Sequence, residues 1–139
     1  MNTAHRTMHL LGYAGLIPFV AVAVALILGV EHRLLSLSVI NAYAFGIFCF
    51  LCGSWWGLGL PRDRREALVF SNLLFLVAFF VFSLASEWWP LTACLLLVAL
   101  FVIEQSGRIV PFASAAYRRM RGLLTLIAAG SMLSVHLTH

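Results

Sequence analysis

The chain has no lysine, and only five of its 139 residues are acidic. Charged residues make up 10% of the sequence, against about 25% in an ordinary water-soluble domain, so a soluble globular fold is excluded. Histidine is confined to positions 5, 9, 32, 136 and 139, outside the middle of every long apolar run. The inward-facing imidazoles that hold haem or metal inside a helical bundle are therefore missing, and neither cofactor nor metal is expected. No glycine-rich phosphate loop, GxSxG elbow, HExxH motif or paired carboxylates appear, so no enzymatic activity is assigned. The runs also lack the apolar/polar alternation that a membrane β-barrel wall requires.

What is present is 63% hydrophobic residues and a mean hydropathy of +1.01. Charges leave five uncharged stretches, at 7–30, 34–61, 67–86, 88–103 and 122–139. A helix rising about 1.5 Å per residue needs roughly 20 residues to cross a hydrocarbon core of about 30 Å. The expected architecture is an all-α, five-transmembrane-helix bundle forming a single integral-membrane domain over 1–139, with spans near 9–30, 39–60, 67–86, 88–107 and 122–137. The first apolar core, Leu10 to Val30, exceeds the roughly 7–15 residues of a cleaved signal peptide and reads as a retained anchor.

All nine basic residues are arginines. Arg6, then Arg62, Arg64 and Arg65, then Arg108, Arg118, Arg119 and Arg121 flank the spans on one side, and only Arg33 flanks them on the other. Basic loops stay in the cytoplasm, which places the N-terminus inside and the C-terminus outside. Arg62, Arg64, Arg65, Arg118, Arg119 and Arg121 are read as anchors to anionic lipid headgroups, so the net charge of +4 implies a bilayer partner and no nucleic acid. Trp88 and Trp89 are expected in an outer aromatic belt and Trp55 and Trp56 in an inner one. The segment IVPFASAAYRRM, from Ile109 to Met120, is expected to lie along the interface before the fifth span.

Within the second span Ala42, Gly46, Cys49, Gly53 and Gly57 recur at helical spacing and include a GxxxG, a face suited to close helix packing. The first span offers Ala21, Ala25 and Gly29 as a matching set, and another membrane protein or a second copy is the alternative partner. Cys49 and Cys52 form a CxxC at mid-depth, where they read as small packing residues. Glu104 stands four residues before Arg108, the favourable order for a helical ion pair; the competing reading is a functional carboxylate.

The stretches Leu11–Gly29, Asn41–Leu60 and Tyr117–Leu133 resemble the transmembrane protein 69-like family, small bacterial and mitochondrial inner-membrane proteins with a domain of unknown function. The resemblance rests on Gly12, Tyr13, Gly15, Pro18 and Phe19, on Tyr43, Gly53, Trp56 and Gly57, and on Tyr117, Arg121, Leu124 and Thr125. The chain departs from the family pattern where Trp55 replaces a histidine, Cys52 a glycine, and Ser71 and Asn72 a proline-serine pair. The resemblance implies a helical membrane domain and supplies no activity. Abundant packing features and scarce intramembrane charge point to an accessory, assembly or scaffolding component of a bacterial inner membrane. The alternatives are a small transporter or channel, and a membrane enzyme or lipid- or quinone-binding protein.

Overall fold

The computed structural model describes residues 3–29, 37–109 and 115–138. Among the described residues, five helical segments are long and apolar enough to cross a membrane. The first crossing is divided into α1 (Thr3–Ala14) and α2 (Ile17–Ile27), and the others are α3 (Leu37–Gly59), α4 (Arg65–Leu84), α5 (Trp89–Ser106) and α6 (Ala115–Thr138).

The breaks follow from local chemistry. Pro18, in the first turn of α2, lacks the N–H that would bond the carbonyl of Ala14, and the chain turns at Gly15 and Leu16. The end of α3 passes into a 3-10 turn, Leu60–Arg62, and then to Asp63 in the left-handed conformation (φ 52°), so that α4 doubles back beside it. A Cβ on Gly59 would lie 2.9 Å from the Cβ of Ala67, which makes glycine a requirement of that reversal. The N-terminal end of α5 carries Pro90, and its C-terminal end is closed by Gly107, whose positive φ of 63° suits glycine.

Packing is closest between α5 and α6 and between α3 and α4, while α2 leans on α6 and touches α3 only lightly. Small residues permit the close approaches. Ala67, Ser71 and Ala78 form the buried face of α4, and Thr125, Ala128, Ala129 and Ser131 share the buried face of α6 with Met132. Trp55, Trp89, Phe48, Leu97 and Leu100 fill the centre, and α4 turns Phe79, Phe80 and Leu84 outward.

Several expectations are corrected. A Cβ at Gly46, Gly53 or Gly57 would meet nothing within 4 Å, and Ala42 is exposed, so the small-residue face of α3 does not pack on the first span. Cys49 is half-buried, Cys52 is buried, and both are free. The last helix begins at Ala115 rather than near Gly122, which puts Tyr117 to Arg121 within its first turns. Of the expected interfacial segment, residues 110–114 lie outside the described residues and Ala115 to Met120 belong to α6. Each tryptophan pair divides: Trp56 and Trp88 are exposed, whereas Trp55 and Trp89 are fully buried and belong to no belt.

Candidate functional site

Glu104 lies near the C-terminal end of α5, at the end of the bundle where α3 finishes and α6 starts. Its Oε1 accepts a hydrogen bond from Trp55 Nε1 at 2.9 Å and from Arg121 Nη2 at 3.0 Å, and its Oε2 accepts one from Arg121 Nε at 3.1 Å. The side chains of Arg121 and Glu104 are 4% and 11% exposed, so the pair sits well inside the bundle. Three helices are thereby tied through one carboxylate.

This geometry overturns two expectations. Glu104 does not pair with Arg108, because Gly107 leaves the helical conformation between them and carries Arg108 to the surface. Arg121 is not a headgroup anchor, since its guanidinium is buried against Glu104. Of the other expected anchors, Arg62, Arg64, Arg65 and Arg119 are exposed, and Arg118 is half-buried and donates to Gln105 Oε1, from Nε at 3.0 Å. Tyr117, half-buried on α6 one turn before Arg121, stands beside the cluster.

Beside the cluster is a cleft of about 370 Å³ between the first span and α3, with α6 as its back wall. The light contact between α2 and α3 leaves this space open. Next to it Tyr43 joins the two elements: its hydroxyl donates to the carbonyl of Gly15 at 2.8 Å and its ring meets Phe19 edge-on, with centroids 5.3 Å apart. Leu11 and Phe50 line the rims and are 65% and 73% exposed, so the cleft opens sideways, toward the lipid that surrounds such a bundle. Its walls are apolar except at one end, where Ser54, Tyr117, Arg121 and Thr125 converge.

Thr125 is 5% exposed, and its Oγ1 has no hydrogen-bond partner, one of two such buried side-chain atoms among the described residues; the other is Asn41 Oδ1. A buried hydroxyl without a partner costs about 1–3 kcal/mol, and native proteins pair nearly all such groups. Serine hydroxyls show the usual alternative: Ser54 donates to the carbonyl of Leu51 at 2.6 Å and Ser131 to that of Ile127 at 2.8 Å.

Sequence reasoning placed Glu104 among the candidates and missed Trp55 and Arg121 as its partners in space. A signal was available. Gly15, Phe19, Tyr117, Arg121, Leu124 and Thr125, which carry the family resemblance, all line the cleft although they come from opposite ends of the chain.

Residues 4–137 match a family described as protein of unknown function (DUF3429). No curated protein and no solved structure matches the chain.

Proposed function

The chain belongs to the DUF3429 family of unknown function, and we propose from its own geometry that it is a multi-pass bacterial inner-membrane protein that holds the polar end of a long-chain amphiphile in its lateral cleft. The observation that carries this reading is the unpartnered Thr125 hydroxyl in an otherwise apolar cleft beside a buried polar cluster. A volume of about 370 Å³ lies within the range of roughly 300–1,000 Å³ usual for small-molecule sites, which are mostly apolar with a few placed polar groups. The cleft accommodates a polar end and the first part of a chain, and the remainder runs out between Leu11 and Phe50 into the bilayer.

Extraction and mass spectrometry of amphiphiles retained through a mild-detergent purification test the reading. One amphiphile class should be enriched on the native chain and depleted on Leu124→Trp, which fills the cleft. Equal retention by both proteins, with Leu124→Trp still folded, would remove the cleft from consideration.

A second reading, an accessory or assembly role, is supported by the vacant face of α3. Gly46, Gly53 and Gly57 leave open space there, and small residues let membrane helices approach closely. The occupant on this reading is a membrane helix of a larger complex, and native mass spectrometry of the same preparation would reveal it as a bound partner. Both readings place the N-terminus and the arginine-rich end of the bundle in the cytoplasm, on the strength of the arginine asymmetry.

A further inference from the structure

The charge balance at the polar end of the cleft narrows the ligand class. The geometry points to an amphiphile whose polar end is uncharged and accepts a hydrogen bond: a carbonyl or hydroxyl on a long apolar chain, as in an isoprenoid quinone or a neutral glycerolipid. This inference rests on the cleft being a ligand site.

An anionic headgroup would be drawn to Arg121, the cation in the wall. That charge is already neutralised: Glu104 meets both Nε and Nη2 of Arg121, at 3.1 and 3.0 Å, in a place where neither side chain is more than 11% exposed. Adding a phosphate or carboxylate would leave a net negative charge in a region of low dielectric, or would force Glu104 to part from Arg121 and Trp55 together. A cationic headgroup fares no better, because both carboxylate oxygens of Glu104 are engaged. The wall as a whole is electroneutral.

What it offers instead is hydrogen bonding. The Thr125 hydroxyl has both a proton and lone pairs uncommitted, and it stands one helical turn further into the bundle than Arg121. The Ser54 hydroxyl gives its proton to Leu51, so toward a ligand it acts as an acceptor. A ligand carbonyl can accept from Thr125 once that side chain turns its enclosed hydroxyl toward the cleft, and a ligand hydroxyl can also donate to Ser54. Beyond these groups Leu16, Phe19, Ile47, Leu97 and Ala128 present hydrocarbon alone, so a single polar end group is accommodated and a second polar group along the chain would be buried without a partner.

Equilibrium binding to the purified full chain in detergent micelles, followed by native mass spectrometry, tests this with three probes: decyl-ubiquinone, dioctanoylglycerol and dioctanoyl phosphatidate. The two uncharged probes distinguish the quinone and glycerolipid sources. At least one of them should bind at least about tenfold more tightly than the phosphatidate, and Thr125→Val, which removes the hydroxyl at nearly constant volume, should weaken that binding by about tenfold with no change in thermal stability large enough to indicate misfolding. Tighter or equal binding of phosphatidate overturns the uncharged end group while leaving the cleft as a site. Binding of an uncharged probe that Thr125→Val does not alter also overturns it. Failure of all three probes to bind overturns the reading of the cleft on which it rests.

Discussion

At the scale of single residues, the two tryptophan pairs show how identical neighbours take opposite roles. Successive residues on a helix differ by about 100° in direction, so one ring of each pair faces outward and the other enters the core. The inward rings each use their N–H: Trp55 donates to Glu104, and Trp89 donates to the carbonyl of Asn41 at 3.0 Å. Replacing Trp55 with Phe should cost about 1–3 kcal/mol, because it removes a donor from a buried carboxylate as well as some packing. Arg121→Leu should be worse, at about 3–5 kcal/mol, since it leaves Glu104 buried without its counter-charge. Glu104→Leu combined with Arg121→Leu should recover a substantial part of that loss. Unfolding in mixed micelles measures all three, and a double variant as unstable as the sum of its single changes would deny the coupling. The partner of Glu104 was not legible in the sequence, because the four-residue spacing to Arg108 presumes a helix that Gly107 ends. Arg121 was hidden for a related reason: an arginine beside an apolar run reads as a loop residue until its carboxylate is found across the bundle.

At the scale of helices, spans were legible and faces were not. Run length counts crossings because bilayer thickness sets a minimum, and the sequence expectation of five agrees with the five helices that could span a membrane. A helix apolar all round gives no periodic clue to the side it buries. The glycines of α3 at 46, 53 and 57 therefore looked like the packing face, whereas α3 and α4 approach most closely where Gly59 meets Ala67. Two leucine substitutions separate these cases. Gly59→Leu should destabilise the isolated chain by about 1–3 kcal/mol or more, because even a methyl group would press on Ala67 and on the carbonyl of Arg64, 3.2 Å away. Gly53→Leu should leave the thermal stability of the isolated chain nearly unchanged, and should reduce partner retention if the α3 face is a docking surface. A large loss of stability from Gly53→Leu in the isolated chain would contradict the open space around it.

At the scale of the whole molecule, eight arginines flank one side of the spans and one flanks the other, and this asymmetry predicts a C-terminus outside the cytoplasm. Reporter fusions after Thr138 should be active only in the compartment opposite the cytoplasm; activity in the cytoplasm would require an even number of crossings. The bundle also joins the two ends of the chain: α2 rests chiefly on α6, and Met120 lies directly over Gly12, 2.7 Å from where a Cβ would stand. The first span thus has its main neighbour in the last one described. Against α3 the first span makes a lighter contact, through the Tyr43 hydroxyl and the Phe19–Tyr43 ring pair, and α6 supplies the back wall of the cleft. Chains stopped after Ser106 should accordingly insert four spans, expose α1 and α2 to proteolysis, and show no cleft ligand. The cleft is thus a product of contacts between the most distant parts of the sequence.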